Sequence, residues 1–305
     1  GTAYGGEPLI MHEMMHKMYD HVGRLRQFPP ELANRAADLS INTQLDNITY
    51  NGACVISNKK ILGITLKQNL ARDGVHYEPR WFNAWPPDKV SEIIRDDVKI
   101  PIGDLIYTAD GIQFGFEICE DAWQKSKRPG YRLADRKVDL ILNPSASHFA
   151  MGKSQLREQE VVADGSGIFQ CAYIFSNLLG NEAGRMIYDG DIIIGQHGKI
   201  VAVNKRLSFH HFKVLAVDVD FNDPSKTESV PSTDNKDRNE ELTQAVALGL
   251  YDYLRKSKAR GFVVSLSGGA DSSSCAILAA EMVRRAAEEL GWEKFNKTLN
   301  IADSV

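Results

Sequence analysis

Three places in this chain combine residue types and spacing that could do chemistry, and the first is Cys119. The run before it, GIQFGFEI, is apolar and β-type, and Cys119 stands where that run ends, ahead of Glu120 and Asp121. Both acids suit the first turn of a following helix. A thiol at a strand-to-helix junction is partly exposed and sees the helix's backbone N–H groups, which favour the thiolate. The same donors could hold the oxyanion that forms when a thiolate attacks an amide carbon. A small core residue closing a strand would look the same in isolation, so this segment alone leaves both readings open. The second place is Lys67, which ends the apolar run KILGITL and precedes a turn and an aromatic cluster. A lysine buried there needs a carboxylate partner or a function, whereas a surface lysine leaving the strand needs neither. The third is Ser267-Gly268-Gly269-Ala270-Asp271-Ser272-Ser273, between an apolar run and a helical one. Its glycines let the backbone approach a phosphate, its N–H groups and hydroxyls supply donors, and Asp271 is placed to hold Mg²⁺ beside a pyrophosphate. The GK[ST] ending of a Walker A loop is absent. The bland alternative is a glycine turn followed by serine caps.

These residues need elements to position them. MHEMMHKMYDHVGRL places apolar side chains at 11, 14, 15, 18 and 22, so residues 7–40 read as helical, broken at Pro29 and Pro30. We take the methionines of 11–18 as core. From there to about residue 220, β-type runs follow one another: ACVIS, KILGITL, GIQFGFEIC, VDLILNPSAS, AYIFSNL, DIIIGQHGKIVAV and FKVLAVDVDF. Several are continuously apolar, as in strands buried on both faces. GQHGK reads as a hairpin turn, and KSQLREQEVVADGS at 153–166 as helix. The fold class is therefore α/β with a mixed sheet. Residues 221–240 are polar and carry two prolines, the composition of a linker. An amphipathic helix, ELTQAVALGLYDYLRKSKARG, follows, with Gly261 placed to stop it. Then come a short buried strand, FVVSL, the serine-glycine loop and a long helix, CAILAAEMVRRAAEELG: the opening unit of a nucleotide-binding α/β domain. The chain closes about a dozen residues later, short of the length such a domain needs.

Composition removes several classes. The 305 residues are 43% hydrophobic, enough for one large core or two ordinary ones. A net charge of -4 and the lack of any basic block argue against a nucleic-acid binder. No apolar run approaches the ~20 residues needed to span a bilayer. The N-terminal GTAYGGEPLIMHEMMHK does not read as a signal peptide, so a cytoplasmic enzyme is expected. Cys54, Cys119, Cys171 and Cys275 are too scattered for a disulfide framework or a structural zinc site. His148, His210 and His211 are read as structural.

The stretches NITYNGACVISNKKILGITLKQNLARDGVHYEPRWFNAW, FGFEICEDAW, LILNPSASHFAMGK and NLLGNEAGRMIYDGD together resemble the nitrilase (carbon–nitrogen hydrolase) superfamily, and within it the glutaminase half of glutamine-dependent NAD synthetases. SGGADS in turn is similar to the SGGxDS signature of ATP pyrophosphatases. The resemblance runs over nearly the whole chain. It implies a nitrilase-like αββα sandwich over 1–220, a linker at 221–240, and, over 241–305, the first strand–loop–helix unit of a Rossmann-like adenine nucleotide alpha hydrolase domain. It also implies a Glu–Lys–Cys triad, with the cysteine at Cys119 and the lysine at Lys67. The second glutamate, supporting lysine and substrate, falls at Glu78, and the glutamine-holding pair at Ser147 and Lys153. The triad glutamate precedes a segment like TAYGGEP at 2–8 and so is expected upstream of Gly1; Glu31, in Pro30-Glu31-Leu32, fits less well, because no aromatic-glycine turn follows it and it lies too close to the ITYN strand.

The activity implied is glutamine hydrolysis to glutamate and ammonia, with ATP used to adenylate deamido-NAD for amidation to NAD. ATP would be held by Ser267, Gly268, Gly269, Asp271 and Ser272, with Mg²⁺ on Asp271. The family's large assemblies imply a homo-oligomer. Two alternatives stand beside this: a stand-alone nitrilase-type amidase, which leaves SGGADSS unexplained, and an inactive chain acting only in assembly.

Overall fold

The computed structural model describes residues 37–45, 48–72, 75–95, 97–182, 186–226, 228–230 and 237–301. The helix expected across 7–40 lies outside them up to residue 36. Its last part is strand instead: β1 (Ala37–Leu45) pairs antiparallel along its whole length with β2 (Ile48–Ser57).

β2 turns into β3 (Lys60–Leu66) through Asn58 and Lys59, both at positive φ, as a two-residue hairpin loop requires. β3 runs parallel to β5 (Val98–Gly103), which pairs antiparallel with β4 (Val90–Arg95). The first sheet therefore has the order β1-β2-β3-β5-β4. The second is built from β6 (Tyr107–Ala109), β7 (Ile112–Phe116), β8 (Leu140–Ser145), β9 (Ala172–Asn177), β12 (Ile192–Gln196) and β13 (Lys199–Val203). Its order is β13-β12-β9-β8-β7-β6, with β7, β8 and β9 parallel. The hairpin expected at GQHGK joins β12 to β13 through His197 and Gly198, both at positive φ.

Alternation along the strands makes the layers. Ala53 and Val55 of β2 point into one cluster with Tyr107, Phe114 and Phe116, so the two sheets pack face to face. Cys54 and Ile56 point the other way and join Ile64, Leu66, Ile102 and Trp85. On the outer face of the second sheet, Ile141, Tyr173 and Phe175 meet Leu133 of α1 (Gly130–Asp135) and Phe169 of α3 (Asp164–Phe169). Between α2 (Lys153–Leu156) and α3 lies a π-helical turn, Arg157–Ala163, whose Val161 and Val162 belong to the same cluster.

The C-terminal part is helical: α4 (Arg238–Ser257), α5 (Ala270–Leu290) and α6 (Trp292–Leu299). They share a core with Leu207 and Phe209. α4 also packs on the two-stranded β10 (Leu179–Glu182)–β11 (Met186–Asp189) ladder, where Asp252 Oδ2 accepts the Asn181 N–H at 2.6 Å. No helix among the described residues is long and apolar enough to cross a membrane.

Three expectations need correction. FKVLAVDVDF forms no strand, and Phe212 and Val214 project into solvent. FVVSL is not a buried strand: residues 262–266 carry no ladder, and Val263 is 103% and Leu266 67% exposed. An apolar run has the capacity to be a strand, but a ladder needs a neighbour to bond, and among the described residues neither run has one. Finally, α4 begins inside the expected linker, with Asp237 capping the Asn239 N–H, and ends at left-handed Lys258 rather than at Gly261.

Candidate active site

Cys119 sits at an elbow. β7 ends at Phe116, Ile118 is extended, and Cys119 takes φ +50° before opening a 3₁₀ turn, Cys119–Trp123. Left-handed backbone at a non-glycine residue is held only where the surroundings fix it. Asp121 supplies that. Its Oδ2 accepts the Ile118 N–H at 3.0 Å, and its Oδ1 accepts the backbone and side-chain N–H groups of Asn69, each at 2.8 Å. Burial pushes the Asp121 carboxyl up to about 7, against the opposing pull of Lys67 and of these hydrogen bonds. Glu117, fully buried just before the elbow, accepts from Arg128 at 2.7 Å, the Gly130 N–H at 2.8 Å and the Tyr173 hydroxyl at 2.6 Å, anchoring the end of β7 to α1 and β9.

Lys67 follows β3 and is 1% exposed. Its Nζ donates to Glu78 Oε2 at 2.5 Å. Glu78, 3% exposed in a 3₁₀ turn (Glu78–Arg80), also accepts the Ala71 N–H at 2.7 Å and the Asn51 side-chain amide at 3.1 Å. Burial alone would lower the lysine's pKa. The negative charge of a Cys119 thiolate, then Glu78 and Asp121, outweigh it and raise the value. Lys67 is therefore a fixed cation that feels the charge at Cys119, suited to stabilising negative charge rather than to taking a proton. Glu78 is its holder; it does not line the cavity beside the thiol.

That cavity has a volume of about 450 Å³ and is lined by Cys119, Ser147, Lys153, His76 and His148, among others. Ser147 follows β8. Its N–H donates to Asn177 Oδ1 at 2.9 Å and its hydroxyl accepts from Arg157 at 3.3 Å, leaving the hydroxyl hydrogen to donate elsewhere. Lys153, half-buried, opens α2 after left-handed Gly152. The structure thus brings Cys119, Ser147 and Lys153 around one space, with Lys67 and Glu78 as the buried pair that answers to the thiol. Glu31 lies outside the described residues.

His148, read from sequence as structural, is on the cavity wall and meets His76 with a ring N···N distance of 2.9 Å. No local signal links residues 72 positions apart. The Asp121 clamp and the Arg157 contact were missed for the same reason.

The serine-glycine loop forms a separate feature at the start of α5. Ser272 Oγ and Ser273 Oγ donate to the Gly269 carbonyl at 3.2 and 2.9 Å, and Gly268 takes φ +83°. The helix N-cap, Gly269, offers no capping side chain. Ser267, Gly268, Gly269, Asp271 and Ser272 lie at the protein surface, and none of them lines the cysteine cavity. Among the described residues no cluster of three or more histidine, cysteine or acidic side chains is arranged to hold a metal ion.

A crystal structure of a glutamine-dependent NAD(+) synthetase from Cytophaga hutchinsonii superposes with a TM-score of 0.82 at 40% identity, covering 98% of this chain and 47% of that one. Over most of its length the chain is similar to glutamine-dependent NAD(+) synthetases. The mouse glutamine-dependent NAD(+) synthetase is 28% identical over 284 residues, 77% of this chain and 38% of its own length. The chain thus spans less than half the length of these relatives. A carbon-nitrogen hydrolase from Helicobacter pylori shares the two-sheet fold, with a TM-score of 0.53 at 15% identity over 66% of this chain and 68% of that one. The family described as NAD synthase matches residues 242–298, which contain the serine-glycine loop. A second family, described as "Putative metallopeptidase domain", matches residues 7–73. That span includes His12-Glu13-Met14-Met15-His16, the HExxH spacing of zinc metallopeptidases, which the apolar periodicity of the same residues had obscured. Those five residues lie outside the described ones.

Proposed function

We propose that this chain carries the glutamine-hydrolysing site, and the opening phosphate loop, of a glutamine-dependent NAD(+) synthetase. The observation that carries the reading is the thiol of Cys119 at a strained elbow, answering electrostatically to a buried Lys67–Glu78 pair and facing a cavity with Ser147 and Lys153. In the proposed division, 1–220 is the glutaminase domain and 241–305 the start of the synthetase domain, with the 221–240 connector shortened by the first residues of α4. Family likeness also favours a cytoplasmic homo-oligomer.

In the glutaminase reaction the Cys119 thiolate attacks the side-chain carbonyl carbon of glutamine. The resulting oxyanion is held by the Lys67 ammonium and a backbone N–H. Collapse expels ammonia and leaves a γ-glutamyl thioester, which water hydrolyses to glutamate and free thiol. The Ser147 hydroxyl and Lys153 cation suit the polar end of the substrate. A general base must take the thiol proton and return it to the departing ammonia, a role the resemblance gives to the triad glutamate.

The loop at the start of α5 fits a phosphate chain: a 21-residue helix begins there without a side-chain N-cap, at a glycine turn flanked by hydroxyls. Ser267, Gly268, Gly269 and Ser272 would hold ATP, and Asp271 a Mg²⁺ ion. Adenylation supplies a leaving group to the carboxylate of deamido-NAD, which ammonia then displaces.

Ammonia release from glutamine tests the proposal. In the full-length protein, Cys119→Ala should reduce glutamine-dependent NAD synthesis to background and leave synthesis from ammonium salts intact; survival of both activities would show that Cys119 is not the nucleophile.

One observation favours a second reading. The HExxH residues within the 7–73 match support a zinc peptidase activity for the N-terminal region, with His12 and His16 as ligands and Glu13 as base. Stoichiometric zinc in the purified chain, lost on His12→Ala, would support it, and a metal-free preparation would dismiss it.

A further inference from the structure

Five charged side chains connect the wall of the cysteine cavity to the first turn of α4. Arg157, fully buried, donates through Nη2 to the Ser147 carbonyl at 3.1 Å, Ser147 Oγ at 3.3 Å and the His148 carbonyl at 3.3 Å. Its Nη1 donates to Asp189 Oδ2 at 2.6 Å and Asp191 Oδ2 at 3.2 Å. The same Asp189 oxygen lies 3.7 Å from Arg206 Nη1, and Arg206 Nη2 donates to Glu241 Oε1 at 3.0 Å. None of the five is more than 7% exposed.

Signs alternate along this series, and each interior member is shared. Asp189 Oδ2 is divided between two guanidinium groups, while its Oδ1 accepts the Asn177 amide at 2.6 Å. Asn177 in turn clamps both the N–H and the carbonyl of Ser147. Arg206 is divided between Asp189, at the end of β11, and Glu241, on α4. With water excluded, a guanidinium that loses one carboxylate must lean on the other, because an uncompensated buried charge is costly. Neutralising Glu241 therefore draws Arg206 toward Asp189, where it competes with Arg157 for one oxygen. Arg157 is what holds the Ser147–His148 wall, and it opens the π-helical turn, an irregularity that recurs at functional sites.

We infer that Arg157 is the positioning residue of the cavity wall and that its hold is set by Glu241, so that seating α4 tightens the pocket around its ligand. That the ligand is glutamine rests on the function proposed above; the connection itself does not.

The test uses Glu241→Gln in a Cys275→Ser background, which removes the exposed competing thiol. Amide hydrogen exchange over 146–149 and alkylation of Cys119 by iodoacetamide should both accelerate, by roughly tenfold, the scale of coupling between groups sharing a buried partner. The Arg157→Lys variant should do the same, and the double variant should add little to it. Glu241→Asp, which keeps the charge, should restore most of the wild-type behaviour and serves if Glu241→Gln fails to fold. Where glutamine is hydrolysed, KM should rise with kcat nearly unchanged. Exchange and alkylation at wild-type rates in Glu241→Gln, or full additivity with Arg157→Lys, would overturn the inference. Accelerated alkylation without any glutamine turnover would uphold the connection and count against the glutaminase reading.

Discussion

Lys67 shows how a charge is kept in a dry interior. An ammonium group in so dry a place would ordinarily shed its proton, but Glu78 lies 2.5 Å away and is itself held by two further donors. Glu78→Gln keeps the shape and removes the charge. The expected outcome is a loss of about 3–5 kcal/mol in urea unfolding, the cost of breaking a buried pair from one side. Under the proposed glutaminase reaction, ammonia release should fall about a hundredfold or more as Lys67 loses the carboxylate that holds it in place. Asp121 gives a pH signature. Its carboxyl ionises at about 7 in the folded protein against an ordinary value of 3.8. Between those values the folded state keeps a proton that the unfolded chain has released. The group's contribution to stability is thus full below about pH 4, declines as pH rises, and is gone once pH passes about 7. Urea midpoints across that range should fall in the wild type, and that part of the slope should vanish in Asp121→Asn, which will itself be less stable because the Ile118 or Asn69 donors lose an acceptor.

The elements divide into those the residues announce and those that depend on company. β2, β3, β7, β8, β9 and the β12–β13 hairpin follow from apolar runs and from Gly198, because these strands are buried and their turns are local. The same logic placed Cys119 at a strand end, whereas Ser147 and Lys153 were singled out only by the family resemblance. It failed for 212–221 and 262–266, whose composition is just as β-like, because pairing partners are a property of the surroundings. It is silent on His76 and His148, which meet because the segment after β3 and the loop after β8 come together beside one cavity. Gly103 marks a place where an element tolerates no side chain. At φ +121° its Cβ would lie 2.3 Å from the Lys89 carbonyl oxygen and 2.8 Å from Trp85 Nε1. Gly103→Ala should therefore push the Trp85 indole off the first sheet and cost about 1–3 kcal/mol or more, read as a lower urea midpoint.

At the scale of the whole molecule, the two sheets and the C-terminal helices are joined by polar contacts: Asp252 to the Asn181 N–H, Lys256 to Glu182 at 2.7 Å, and the series through Arg206. The buried charges among them, Asp252 and the Arg206 series, fix one docking arrangement at the expense of tolerance to change. The run from Phe262 to Leu266 has no such attachment. Its apolar side chains face water next to backbone groups that bond no strand, and a segment of that kind is an adhesive seam for other polypeptides. Solutions of these 305 residues should scatter light increasingly with concentration, and Val263→Lys, a charge placed at the most exposed of those positions, should suppress the scattering while leaving the reactivity of the distant thiol untouched.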